Sequence, residues 1–283
     1  MDSNGWPKGP VYWLEGRTLC VTVPFTWNLP EVLRTIRQRG TKWDRVLAGG
    51  PAVRLMPDYF ESLPFVSVGD GHPDALARVN PLATRTMEGC VRNCQFCAVR
   101  KIEPVFSEYE WWPSAPIVID NNLLACSRHH FETVIEGLKR IGRADFNQGL
   151  DARLLTDYHA KKIAEIRKSM VRLALDSLSY RYDWLAAFER LRNAGIAKKN
   201  IRSYALVGFD SGPDEAWERC RWIESHGIKA LPMWFHELDA LKANQVTEKQ
   251  KDSGWSDRER KKLMQWFYKH RECEKPRRKL ARR

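Results

Sequence analysis

Residues 88–97 read Glu88-Gly89-Cys90-Val91-Arg92-Asn93-Cys94-Gln95-Phe96-Cys97, and these three cysteines decide how the rest of the chain is read. Thiolates gathered in one place are costly without a cation to compensate them, so three on one short loop point to a metal centre. Spacings of three and then two residues let a single loop present all three sulfurs to one inorganic group. A structural zinc site wants a fourth Cys or His nearby, usually from a second short-spaced pair. The next candidates, Cys126, His129 and His130, lie well downstream. An ordinary four-cysteine iron–sulfur centre lacks its fourth thiolate in the same way. Three thiolates on a cubane leave one iron open, whereas a three-thiolate zinc site or another kind of cluster is the competing reading of the same spacing.

The pattern Cys90-x-x-x-Cys94-x-Phe96-Cys97 resembles the signature of the radical S-adenosylmethionine (SAM) superfamily, with Phe96 in its aromatic slot. The resemblance implies a 4Fe-4S cluster held by Cys90, Cys94 and Cys97, whose open iron chelates the amino and carboxylate groups of S-adenosyl-L-methionine. It implies cleavage of SAM to methionine and a 5′-deoxyadenosyl radical, with the cofactors supplying the chemistry and the protein the orientation. An external electron donor such as flavodoxin or ferredoxin is implied with it. The fold it implies is an open, six-stranded partial barrel.

Upstream, residues 17–23, 44–50 and 65–69 read as strands, with a helix from Pro30 to Arg39. Strand, helix and strand punctuated by glycine predict a small α/β layer over residues 1–80. The Gly49-Gly50 pair lacks the Gly-x-Gly-x-x-Gly phosphate pattern and reads as a tight turn. This layer resembles a shortened form of the cobalamin-binding-like domain that precedes many radical SAM barrels, through Gly49-Gly50-Pro51. The Asp-x-His-x-x-Gly motif of that family does not occur, so no cobalamin is expected.

Downstream, strands are expected at 83–87, 117–120, 145–148, 171–176, 201–207 and 228–235, with helices between them at about 131–141, 156–168, 182–194 and 213–226. Six β/α units in a row predict an α/β fold with parallel strands, and with the resemblance a partial (β/α)6 radical SAM barrel over residues 81–240. Pro232 inside the sixth strand favours an edge position. Residues 242–256 read as a loop and 257–268 as an amphipathic helix, within a helical extension over 241–273. Residues 274–283 form a basic tail with six cations against Glu274, +5 of the formal +12.

In β/α barrels chemistry sits at the C-terminal strand ends. Those ends are polar here: Asp120-Asn121-Asn122, Asn147-Gln148, Asp151 to Arg153, Asp176-Ser177 and Asp210. Any one of them is also an ordinary turn former. Cofactor contacts are assigned to Phe96, Asp120, Asn122, Gln148, Asp176 and Ser177, and Arg153 has the fork that meets a carboxylate. The stretches IVIDNNLLAC, DFNQGLDARLL and VRLALDS resemble an uncharacterised radical SAM family met in phage-like gene sets, which implies fold and cofactors but no substrate. Unlike methylthiotransferases acting on tRNA, this chain has only Cys20 upstream of the motif, so a single cluster is expected.

The 283 residues are 43% hydrophobic, enough for a sizeable core. No apolar run approaches the ~18 residues of a membrane span, and the N-terminal residues have no signal-peptide pattern, so no membrane association and a cytoplasmic location are expected. Seven cysteines with no paired framework suit a reducing compartment. The net charge of +12 makes a nucleic acid or nucleotide the leading candidate substrate. A different class of protein has the same features: a nucleic-acid-binding module stabilised by a cysteine-bound metal, without catalysis. Twelve tryptophans, Trp111 and Trp112 among them, are candidates for base stacking.

Overall fold

The computed structural model describes residues 5–39, 42–69 and 72–269; Cys273 and the basic tail of residues 274–283 lie outside them. Two sheets organise the chain, and each has its own apolar core.

The first sheet holds β1 (Val11–Glu15), β2 (Thr18–Thr22), β3 (Arg45–Gly49) and β4 (Val66–Val68), in that spatial order. β1 and β2 form an antiparallel hairpin, while β2, β3 and β4 are parallel. β1 has no counterpart in the sequence expectations. Its turn residue Gly16 sits at φ 59, a conformation in which glycine carries no penalty. α1 (Leu29–Arg39) places Leu29, Val32 and Ile36 on one stripe, and these pack with Leu19, Val21, Val46 and Ala48 in a fully buried cluster. Burying each such side chain contributes about 1.5–3 kcal/mol. The turn from β3 into α2 (Pro51–Leu55) requires Gly50: at φ 94, a Cβ there would sit 2.6 Å from Thr22 Oγ1 and 2.8 Å from the Val23 backbone. The Gly49-Gly50 pair is thus a tight turn, as its sequence suggests.

After α3 (Ala75–Val79) the chain enters the second sheet at β5 (Ala83–Thr84), then makes an excursion through β6 (Met87–Glu88), α4 (Val99–Ile102) and β7 (Ser107–Glu108). From there strands and helices alternate: β8 (Ile117–Val118), α5 (Arg128–Ile141), β9 (Ala144–Phe146), α6 (Asp157–Ala164), β10 (Ser169–Ala174), α7 (Arg181–Asn193), β11 (Ile201–Val207), α8 (Pro213–Ser225) and β12 (Lys229–Trp234). The chain continues through α9 (Glu248–Asp252) to α10 (Asp257–Lys269). The sheet order is strictly sequential, β12-β11-β10-β9-β8-β5, and every pairing is parallel. All six C-terminal strand ends therefore lie along one edge.

Local chemistry sets the helix limits. Ser127 caps α5 by accepting from the His130 amide at 3.2 Å, and Gly142 ends it in the left-handed region at φ 79. The capping box at Thr156 starts α6 in the same manner. Pro232 lies in β12, an edge strand with one partner, where its missing N–H disrupts no second ladder.

Two expectations need correction. The strand expected over 83–87 stops at Thr84, because the amides of Thr86 and Met87 turn away to the Asp120 carboxylate at 2.6 and 3.3 Å. Met87–Glu88 then pair with Ser107–Glu108 in a separate ribbon. The loop expected at 242–256 contains α9, started by a capping box between Thr247 and Gln250. The buried Gln250 amide donates to the carbonyls of Gly208 at 2.7 Å and Phe235 at 3.2 Å, and so ties α9 to the ends of β11 and β12.

Candidate metal centre and strand-end cluster

The cysteine loop starts where β6 ends and is held by buried polar groups on both sides. Gly89 takes φ 73, and a Cβ there would lie 2.2 Å from the Val105 carbonyl oxygen, so only glycine fits. Its amide donates to Glu103 Oε2 at 3.0 Å. The Glu103 side chain, 7% exposed, also accepts from Asn121 Nδ2 at 2.6 Å and pairs with Arg85 and, at 3.6 Å, with Arg54 of α2. One carboxylate thus joins the loop, the end of β8 and the first sheet. Below the loop, Asp120 is 3% exposed and spends its oxygens on the Thr86 amide and hydroxyl, both at 2.6 Å, and on the Met87 amide. Burial pushes its pKa up, against these three donors.

Donors converge on the sulfurs. The Arg92 amide lies 3.4 Å from Cys90 Sγ, and Asn122 Nδ2 lies 3.6 Å from the same atom. Burial raises the pKa of Cys94, opposed by the charge and hydrogen bond of Arg153. Burial likewise raises that of Cys97, opposed by the Val99 amide, and Cys97 feels both other cysteines and Asp176. The three thiols therefore share one electrostatic environment, bounded by the ends of β8, β9 and β10. Cys126 differs: burial, then the charges of Glu108 and Asp120, push its thiol up to about 12, which leaves it protonated near neutral pH.

Asp151, just past β9, is the pivot of the strand-end cluster. It accepts from Arg92 Nε at 2.8 Å and from Arg153 through its amide at 3.1 Å and its Nε at 2.8 Å. Burial alone would raise its pKa, but the hydrogen bonds of Arg153 and Arg92 outweigh it and hold the carboxyl below the usual range. Arg153 also lies 4.9 Å over the Tyr180 ring. Asp176 is half-buried and raised by burial, against Arg219, the Leu206 amide and Arg153.

Of the residues assigned from sequence, Asn122 and Asp176 stand with the cysteines. Asn122 presents its Nδ2 to Cys90 Sγ and, at 3.5 Å, to Asp151 Oδ2, while its Oδ1 is buried with no hydrogen-bond partner among the described residues. Phe96 meets Phe209 edge-on at 5.5 Å, and Phe209 meets Phe235 at 4.9 Å, so an aromatic ladder runs from the loop to the end of β12. Asp120 is buried, and both of its oxygens accept from Thr86 and Met87. Gln148 is exposed on the loop after β9. Ser177 caps the short helical turn that follows it, accepting from the Ser179 amide at 3.2 Å, which is the turn-forming role. Trp111 is exposed and Trp112 packs on His130 at 4.9 Å. Glu103 and Arg92 had no sequence signal, since each acts through partners distant in the chain, and Asp151 was marked only as one of the polar strand ends.

A cleft of about 560 Å³ opens beside Cys97, walled by Phe209, Phe235, Leu55, Arg100 and Lys249 among others. That volume suits one small ligand. Among the described residues no three His, Cys, Asp or Glu side chains form a group that could hold a metal ion. A single ion takes all its ligands about one point, whereas a cubane takes each thiolate on a separate iron. The donor set fits a cluster on chemical grounds: three thiols on one loop, with amide and guanidinium donors directed at the sulfurs. No helix among the described residues is long and apolar enough to cross a membrane. No model of a known protein family matches the chain, and no curated protein matches it either.

Proposed function

We propose that this chain is a radical SAM enzyme that uses one 4Fe-4S cluster on Cys90, Cys94 and Cys97 to start hydrogen abstraction from a substrate. The observation that carries the reading is the placement of the three-cysteine loop at the C-terminal edge of a sequential parallel sheet, with Asn122, Asp151, Arg153 and Asp176 gathered around it. A singly wound order is what a partial (β/α)6 barrel requires. When bound, the cluster supplies the electron that cleaves SAM into methionine and a 5′-deoxyadenosyl radical.

The chain's own residues have distinct tasks. Gly89 and Glu103 hold the loop in one conformation, so the three thiolates are presented together. Asp151 fixes the guanidinium of Arg153, and the pair sets the charge beside Cys94. Asn122 Nδ2, 3.6 Å from Cys90 Sγ and 3.5 Å from Asp151 Oδ2, ties the end of β8 to the cysteine loop and to the residue that anchors Arg153. Phe209 and Phe235 give the Cys97 cleft one apolar wall, and Arg100, Lys101 and Lys249 line it with cations that suit an anionic group of a bound molecule. Electrons come from an external donor such as a flavodoxin or ferredoxin.

The test is iron and sulfide analysis of anaerobically purified protein, followed by incubation of the reduced protein with SAM. Stoichiometric iron and sulfide with 5′-deoxyadenosine above the protein-free rate is the expected result. Zinc in place of iron, or no cleavage by a fully reconstituted protein, overturns the reading and leaves a metal-stabilised binding module.

A further inference from the structure

α10 has two faces of opposite character. Leu263 and Phe267 turn into the main core, with Arg260 buried beside them. Arg258, Lys261, Lys262, Gln265 and Trp266 recur at spacings of three and four residues on the other face, and all five are exposed. They line a groove of about 590 Å³ that holds three cations and no carboxylate. A second groove, about 660 Å³, runs between α10 and α8 and is walled by Trp217, Trp222 and Trp266. The two grooves meet at Lys262 and Trp266.

Trp266 is 52% exposed, and Trp217 stands edge-on to it at 5.9 Å. Arg221 lies 5.2 Å over the Trp217 ring. Trp217 and Trp222 are half-buried and continue the aromatic surface of exposed Trp266 along the groove. Carboxylates of Asp214, Glu218 and Glu259 also line the tryptophan groove. Phosphates are therefore favoured in the first groove and flat, uncharged rings in the second. The chain runs on from the end of α10 toward the six cations of residues 274–283. α8 starts at Pro213, just past the C-terminal end of β11, so the Asp214 end of the tryptophan groove lies toward the sheet edge at which the strands end.

We propose that the α8–α10 face docks single-stranded nucleic acid, with phosphates along Arg258, Lys261 and Lys262 and a base against Trp266. Its use in substrate selection rests on the radical SAM reading, but the binding itself needs neither cluster nor SAM. Base stacking on an aromatic platform beside a cationic groove is sequence-tolerant and needs unpaired bases. A duplex, whose bases are already stacked, gains only the phosphate contacts.

The test is fluorescence anisotropy of the full-length protein with a labelled single-stranded oligonucleotide of about 16 nucleotides, in RNA and DNA arms and against the matching duplex. Single strand should bind more tightly than duplex. Trp266→Ala should weaken binding roughly tenfold, with Trp266→Phe restoring most of it. The double substitution Lys261→Gln with Lys262→Gln should lower the slope of log affinity against log salt by about 1.4 for a single strand. All these side chains are exposed, and an unchanged melting temperature verifies that the variants fold. No affinity in the wild type, duplex binding as tight as single strand, or full affinity in both face variants overturns the proposal. Loss of binding on removing residues 274–283 with no effect of the face variants overturns it too, in favour of the tail alone. If iron, sulfide and SAM cleavage fail but these binding results hold, only the enzymatic reading falls.

Discussion

The two sheets follow the same strand–helix grammar, yet they bury different things. Among the described residues up to Gly69, Thr26 is the one buried polar side chain, and the core is otherwise aliphatic and aromatic. On the six-stranded side Glu103, Asp120, Asn122, Arg172 and Arg219 are all buried, and most lie toward the edge that carries the cysteines. A buried charge costs several kcal/mol before its partners repay it, and apolar residues of similar volume are often as stable. A sheet that had only to be stable would resemble the first one. The second concentrates its polar groups around the start of the three-thiol loop, where Asp120 holds the Thr86 and Met87 amides and Glu103 the Gly89 amide. The first sheet reaches that site through α2, where Arg54 pairs with Glu103 and Leu55 walls the cleft.

The sharpest way to break this contrast is at the cysteines. Cys90→Ala, Cys94→Ala or Cys97→Ala should each abolish the visible absorbance of the reconstituted cluster. Cys126→Ala and Cys20→Ala should leave it intact, because Cys126 is a protonated thiol facing Glu108 and Asp120, and Cys20 is buried in β2 of the first sheet. Retention of a normal cluster in any one of the three loop variants would mean that the ligand set is wrong.

Next in size is the buried carboxylate. Glu103→Ala leaves Arg85 and the Gly89 amide without their partner, and breaking a buried pair costs about 3–5 kcal/mol. The comparison is Thr26→Val on the first-sheet side, which removes the 2.6 Å hydrogen bond to the Ala240 carbonyl; its expected cost is about 1 kcal/mol. Urea denaturation of both variants measures the difference. Equal costs would mean that Glu103 is no more than a surface-like ion pair.

The glycine turns sharpen the same comparison. Gly50→Ala and Gly89→Ala both force a Cβ into backbone at positive φ, and each should lose roughly 2–4 kcal/mol. Their readouts should separate. Gly50→Ala loosens the first sheet and keeps the cluster, whereas Gly89→Ala displaces the loop and lowers iron content at matched protein concentration.

Much of the fold could be read from the chain because its signals are local. Alternating strands and helices, the cap at Thr156 and the proline in β12 each act within a few residues. The capping box at Thr247 and Gln250 was equally present in the sequence, and α9 was missed because a five-residue helix has almost no periodicity to detect. β1 was missed, although it is as long as β2 and β3, because none of its residues is buried and its pairing depends on the Gly16 turn. The site divides along the same line. Three cysteines at short spacing are a local signal. The Arg92–Asp151 pair joins residues 59 apart, and the Asp120 carboxylate reaches back 34 residues to Thr86, contacts that only the folded sheet creates. Strand-end polarity marked Asp120 and Ser177 as well as Asn122, but it carries no information on which way a side chain turns.

The smallest expected effect concerns two carboxylates, one on each side of the comparison. Asp44 in the first sheet and Asp151 beside the cysteines both have lowered pKa values. Asp44 owes this to the hydrogen bond of Arg17, at 2.6 Å on the open surface. Asp151 must first overcome burial, and does so with two arginines. A carboxyl whose folded pKa lies below its unfolded value of about 3.9 stabilises the protein above that pH. The stabilisation is lost as pH falls through the folded pKa. Acid unfolding should therefore be shallower in Asp151→Asn than in wild type between roughly pH 5 and pH 2. Asp44→Asn should show a weaker change in the same direction. Salt separates them, since exposed pairs are screened over a Debye length of about 3 Å at 1 M ionic strength and buried ones much less. At high salt the Asp44→Asn curve should merge with wild type while the Asp151→Asn curve stays apart. Merging of both would place Asp151 in solvent and remove the guanidinium clamp from the account of the cysteine site.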